Sequence, residues 1–375
     1  MGNVDNLIYS IIRPGMGDRF YHISNAEGKS WWMPAESIRM ALNIYQPSTR
    51  NGRLLKVLLP VLHRLPFIHR IIHSETERIS LCEKLEDILD RVFSSSDLEF
   101  AVFEGTPSIN QKITIQLSRK SQILGYCKIT DNPKVVTQFL HEQIILKKLH
   151  SKGMSAVPRC LYCGSLTDTV SLFVQSTEKT DHSVTCHQLC GFHWDFVKEM
   201  AISTRVKCSF EKSDFALSLS RLNTYIAYFR TEDKAFVQTA IKIVQRHYQG
   251  KIVEFSACHG DFTPWNVFVE KNRLFAFDLE YAQFSCPPYM DICYFIVQVA
   301  IHKLKYSPEG IYECFRKRIA EFPQEIENSW FLCLCTLLYS LSIYFHLYEG
   351  RYDTESLNYR GWMGMIKIII QRHTL

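Results

Sequence analysis

The 375-residue chain is 46% hydrophobic and 22% charged, long enough for two or three structural units and apolar enough to bury a sizeable core, so a disordered chain is excluded. It holds 43 Lys/Arg and 38 Asp/Glu; six of the basic residues and no acid fall in residues 37–74, so the rest is close to neutral and a nucleic-acid partner is not expected. The thirteen cysteines are irregularly spaced, many in apolar runs such as FLCLC at 331–335, which suits reduced thiols. With no signal-peptide pattern at 1–15 and no uncharged apolar stretch of about 18 residues, a cytoplasmic location is expected, peripheral at the inner membrane surface at most.

In chain order, residues 1–96 read as an N-terminal extension with aromatic loops, among them WWMP at 31–34. Residues 53–73 alternate polar or proline positions with apolar ones at helical spacing, and Pro60 and Pro66 interrupt the pattern. This run packs on the rest of the protein or docks at an anionic membrane surface. A helix is expected from Glu75 to Phe93, and SSSD at 94–97 marks a break. Residues 97–177 change to short alternating runs, AVF, KITIQL, GYCKIT and SLFVQ, with one helix from Lys134 to His150, which together make a small antiparallel sheet. Residues 178–375 are mainly helical, with a strand-like insertion at 252–284. The fold class is α+β, with a sheet-rich N-lobe, a helical C-lobe and the extension before them.

The insertion holds the densest chemistry, CHGDFTPWNVFVEKNRLFAFDLEYA at 258–282. A three-residue turn at Lys271-Asn272-Arg273 would place Asn266 across a hairpin from Asp278, close enough for an amide oxygen and a carboxylate to share one divalent ion. Asp261, in the loop before the hairpin, is free to accept or orient the proton of a substrate hydroxyl while the metal neutralises phosphate charge. Glu280 either approaches a second metal or lies in the following loop, and Asp291 is expected to cap the next helix.

HGDFTPWN followed by DLEYA resembles the catalytic segment of the aminoglycoside phosphotransferase and choline kinase family, of protein-kinase-like fold. The resemblance implies ATP and Mg²⁺ as cofactors, Asp261 as catalytic base, Asn266 and Asp278 as metal ligands, and His259 as a brace of the catalytic loop. It spans residues 98–300 in order and leaves 1–96 outside.

The sheet-rich region supplies matching parts. Lys128 projects from the middle of GYCKIT, and the following helix has an inward stripe of Val135, Phe139, Glu142, Leu146 and Leu149. A carboxylate on a buried face needs a partner, and Lys128 is the candidate. In kinase-like folds such a pair holds the α- and β-phosphates. Lys128 is therefore expected to contact phosphate rather than core, so that its removal leaves the fold intact. Gly105, Ser108 and Asn110, in the loop at 104–112, are candidates to cover the phosphates, although neither GxGxxG nor GxxxxGK[ST] is present. SLFVQST at 171–177 resembles the hinge, with backbone near Gln175 binding adenine.

Cys160, Cys163, Cys186 and Cys190, with His182 and His193, invite a zinc reading, but three residues along a strand send Cys160 and Cys163 to opposite faces. A nucleotide-binding pseudokinase would ordinarily have lost one of Lys128, Asp261, Asn266 or Asp278. A protein kinase would show the Gly-rich loop and an APE-type segment. The expected acceptor is a small-molecule hydroxyl, with a sugar, glycan or glycolipid favoured because Trp194 and Trp265 suit sugar rings; choline, another amino alcohol or an aminoglycoside is the alternative.

Overall fold

The computed structural model describes residues 4–25, 27–45, 50–63, 65, 74–108 and 110–373; the parts of the 53–73 run at 64 and 66–73 lie outside them. The chain forms two compact units, residues 1–147 with 157–183, and residues 148–156 with 184–375.

The first unit is built on an eight-stranded antiparallel sheet of order β3-β1-β2-β4-β5-β6-β8-β7. Its strands are β1 (Ile12–Ser24), β2 (Ser30–Pro34), β3 (Glu75–Leu81), β4 (Glu99–Phe103), β5 (Ile113–Arg119), β6 (Gln122–Thr130), β7 (Cys160–Ser165) and β8 (Ser171–Ser176). Alternation sorts their side chains between two cores. Phe20, Trp32, Val102, Cys127 and Ile129 join a cluster that includes Leu85, Ile88 and Leu89 from the helix Glu83–Phe93. Tyr21, Trp31, Met33 and Ala101 face the other way, onto Ile38 and Ala41 of the helix Ile38–Ala41 and Leu59 of the helix Arg50–Leu62.

Residues 1–96 are therefore no separate extension: they supply three of the eight strands. WWMP is not a loop but β2, buried along its whole length. The expected helix at Glu75–Phe93 is a strand and then a helix, because Glu75–Leu81 pairs with β1, with Ile79 opposite Asp18 and Thr76 opposite Tyr21. A long-range partner overrides local helix propensity here.

In the second unit, β10 (Ile252–Cys258) pairs with β9 (Val206–Ser209) and β13 (Gln283–Cys286), while β11 (Val267–Glu270) and β12 (Arg273–Ala276) form a hairpin. Among the surrounding helices, Ser329–Leu347 is uncharged over 19 residues, and by length and composition it is able to cross a membrane. This corrects the expectation that no such stretch exists; Ser, Thr and Cys interrupt the apolar residues and disguise it. Within the protein 72% of its most apolar 18-residue window is buried, and Thr336 and Ser340 turn their hydroxyls onto its own Leu332 and Thr336 carbonyls at 2.9 Å each, as expected of a core helix.

The hairpin register differs from the sequence reading. Lys271 and Asn272 have φ of 49° and 59°, a two-residue turn with both residues left-handed whose twist suits the strands. Val267 then faces Ala276 and Glu270 faces Arg273. Asn266 is consequently level with Phe277, whose N–H donates to the Asn266 carbonyl at 3.0 Å, and Asp278 lies one residue further on.

Candidate active site

In the second unit, β10 ends at Cys258 and hands the chain to a loop pinned from three directions. The buried Asp291, in the first turn of the helix Met290–Gln298, accepts the His259 N–H at 2.8 Å and the Gly260 N–H at 3.1 Å. His259 is fully buried. Its Nε2 donates to the Phe277 carbonyl at 3.0 Å and its Nδ1 accepts the Asp261 N–H at 3.3 Å, so both ring nitrogens are used to hold the loop. Gly260 has φ of 82°, and a Cβ there would lie 2.5 Å from the Tyr281 carbonyl oxygen. Only glycine fits that turn.

The pinned loop presents Asp261. Asn266 Nδ2 donates to the Asp261 carboxylate at 2.7 Å and to its carbonyl at 2.9 Å. The Tyr294 hydroxyl, on the helix Met290–Gln298, is directed at the same carboxylate, with Tyr344 beside it. Burial pushes the Asp261 carboxyl up to about 7 and repulsion from Asp278 adds to the rise, while the bonds from Tyr294 and Asn266 oppose it.

Asp278 has φ of 66°, a backbone conformation that non-glycine residues adopt at a cost and that clusters at functional positions. Its carboxylate and that of Glu280 come within 4.8 Å of each other. The Asn266 amide spends its nitrogen on Asp261 and leaves Oδ1 as its acceptor. Asp278 and Glu280 offer two carboxylates, hard oxygen donors of the kind that suits Mg²⁺ rather than a softer metal. Asn266 and Asp278 are not opposed across the hairpin, because Asn266 is level with Phe277.

In the first unit, Lys128 Nζ donates to Glu142 Oε2 at 2.7 Å. The Lys128 side chain is 7% exposed and that of Glu142 is 0% exposed. The whole inward stripe of the helix Pro133–Ser151 is buried. The loop at 104–112 is anchored at its base: Trp32 Nε1 donates to Glu104 Oε1 at 2.5 Å and Gln111 Nε2 to the Glu104 carbonyl at 2.9 Å. Gly105 has φ of 86°. Ser108 Oγ accepts the Asn110 N–H at 3.3 Å, so these two candidates are bonded to each other.

Gln175 does not sit in a connecting segment. It lies inside β8, facing Tyr126 of β6 on one side and Cys160 of β7 on the other, so its backbone belongs to the sheet.

Trp265, four residues after Asp261, is 40% exposed, and its ring meets His302 edge-on at 5.8 Å. Trp194 instead packs edge-on against Phe322 at 5.2 Å. Cys190 closes the start of the helix Gly191–Ser203, its Sγ 3.2 Å from His193 Nδ1, and Cys160 and Cys163 lie along β7. Sequence reasoning missed two residues. Asp291 is not a helix cap, since Tyr289 takes that position, and Tyr294 drew no attention. A signal for Asp291 existed: it is the only charge in the run PPYMDICYFIVQVAI at 287–301.

No family model matches the chain and no curated protein matches it in sequence. Solved structures do resemble it. A thermostable mutant of the aminoglycoside phosphotransferase APH(4)-Ia, in ternary complex with ADP and hygromycin B, is 13% identical with a TM-score of 0.51, covering 78% of this chain and 100% of that one. Another APH(4)-Ia structure gives 12% identity and a TM-score of 0.51, with coverages of 78% and 99%. The chain therefore has the fold of these phosphotransferases.

Proposed function

We propose that the chain is an ATP-dependent phosphotransferase that moves the γ-phosphate to a hydroxyl of a small molecule. The observation that carries this reading is the braced loop at 259–266, which holds a carboxylate, Asp261, beside an oxygen-rich donor set. Asp261 accepts or orients the acceptor's proton. Asn266 and Asp278, with Glu280 nearby, would hold Mg²⁺, which supplies neutralisation of phosphate charge when bound. Lys128, positioned by Glu142, would bind the α- and β-phosphates, and the tip at Ser108 and Asn110 would cover them. The neighbouring fold's complexes with ADP and AMP-PNP support the choice of nucleotide.

For the acceptor, a sugar hydroxyl, free or in a glycan or glycolipid, is the favoured class. Trp265 offers a half-exposed aromatic face close in sequence to the base, and such faces suit the apolar side of a sugar ring. An amino alcohol or an aminoglycoside is the alternative. Calorimetric titration with ATP and Mg²⁺, followed by phosphorus NMR of reactions with sugars, amino alcohols and aminoglycosides, tests the reading. Magnesium-dependent ATP binding and a new phosphomonoester signal are expected. Binding without turnover on any acceptor would favour a nucleotide-binding interaction module, and absence of ATP binding would reject the nucleotide assignment.

Lys128→Ala is expected to do more than weaken nucleotide binding. Because it removes the cation beside a fully buried carboxylate, it should also cost about 3–5 kcal/mol of stability, contrary to the expectation from sequence that the fold is indifferent to this lysine. Urea unfolding of the nucleotide-free protein measures this directly; stability equal to wild type would show that Glu142 does not depend on Lys128.

A further inference from the structure

The helix Arg50–Leu62 has two apolar faces. Leu59 is 1% exposed, and with Leu55 and Leu62 it packs into the core against β2 and its neighbours. On the other side Leu54 is 58% exposed, Val57 71%, Leu58 41% and Val61 76%, and Leu65 beyond the helix end is 40% exposed. The four helical positions follow the spacing i, i+3, i+4 and i+7, which gathers them in one arc about 100° wide. A helix with a second apolar face of this kind is suited to an environment other than water.

Charge narrows what that environment is. Residues 37–74 contain six Lys/Arg and no Asp/Glu. Arg53 is exposed on the helix, whereas Lys56 turns inward and donates to the Tyr45 carbonyl at 2.8 Å and Arg39 is paired with Asp181 at 3.5 Å. A two-fold dimer through this face would bring Arg53 toward its own copy with no acid of the helix to offset it, and like charges in an isologous contact oppose association. An anionic bilayer meets both features at once, taking the apolar arc into the headgroup boundary and the cations among the phosphates.

We propose that the face formed by Leu54, Val57, Leu58 and Val61 is a docking surface for an anionic membrane. The surface is independent of the phosphotransferase reading, because binding to vesicles is measured without turnover.

The test is cosedimentation of the full chain with vesicles of phosphatidylcholine plus phosphatidylglycerol, compared with phosphatidylcholine alone. The variants Val57→Glu and Val61→Glu change only exposed positions, so their thermal unfolding should match wild type. Wild type is expected to bind the anionic vesicles at least about tenfold more tightly than the neutral ones and to be released by raised salt. Each variant should lose about tenfold or more in partitioning. Equal binding to both vesicle types, or no loss in the variants, would overturn the proposal. So would failure of wild type to bind anionic vesicles, including the case in which sedimentation velocity shows a dimer that the variants dissolve, since a second copy would then be the occupant.

Discussion

Asp261→Asn lowers the rate of phosphoryl transfer by about 10²–10⁴-fold while nucleotide binding persists, the loss expected on removing a positioned general base. The substitution is nearly isosteric and keeps an oxygen for the Asn266 amide, which sits 2.7 Å from the carboxylate. Since the His259 brace acts on the backbone N–H of residue 261, the loop should keep its shape. Asp278→Ala gives the complementary result: turnover is lost and Mg²⁺-dependent ATP binding is lost with it, because the phosphate charges lose a ligand of their bridging cation. Calorimetry with ATP and Mg²⁺ beside a turnover assay on the identified acceptor distinguishes the two. An Asp261→Asn protein as active as wild type would remove the base from the mechanism, and unaltered Mg²⁺-ATP binding by Asp278→Ala would remove the ligand.

Asp291→Ala should be the most damaging change outside the reacting groups. Its carboxylate is the acceptor for two backbone N–H groups, at 2.8 and 3.1 Å, and is itself only 3% exposed. Each such amide left without an acceptor costs about 1–3 kcal/mol, so a loss of about 2–6 kcal/mol is expected for the two. Turnover should fall by about 10²-fold as the loop carrying Asp261 loses its position. Asp291→Asn keeps one of the two acceptor oxygens and should fall between Ala and wild type. Denaturant unfolding and amide exchange at His259 and Gly260 provide the measurement. A change within about 0.5 kcal/mol, the range of an ordinary surface substitution, would mean that the two amides find other acceptors.

What the sequence disclosed and what it hid follow from range. Lys128 and Glu142 were legible because period-2 and period-3.6 patterns assign faces locally, and a carboxylate among Val135, Phe139, Leu146 and Leu149 asks for a cation. The same reasoning applied to Asp291, alone among apolar neighbours, would have found its task, but its proximity to a helix start suggested a cap instead. The hairpin register depended on whether Arg273 belongs to the turn or to the strand, and Lys271 and Asn272 both entering the left-handed region decided it. Gln175 was misplaced because nothing in SLFVQS marks the last residue that a neighbour on each side will pair with. The stretches Trp31–Pro34 and Glu75–Leu81 escape local reading for a related reason: Glu75–Leu81 pairs with β1 and Trp31–Pro34 with β1 and β4, and the long Ile12–Ser24 run of β1 contains two glycines and a proline and does not announce itself.

The order of the sheet bears on how the chain avoids sticking to others of its kind. Without β1, β2 and β3, the strand β4 would end the sheet and offer unpaired backbone groups along the apolar Phe100-Ala101-Val102-Phe103, a template for an incoming strand. As the chain is built, Trp31 and Trp32 of β2 take that place opposite Phe103 and Val102, and the outermost position passes to β3. Glu75, Glu77 and Arg78 line that strand's first half, with Glu75 and Arg78 exposed, and charged side chains on a border strand discourage further pairing. A chain begun at Leu98 would recover the apolar border, so the residues before it act as a selvedge that finishes the sheet against unravelling into aggregates.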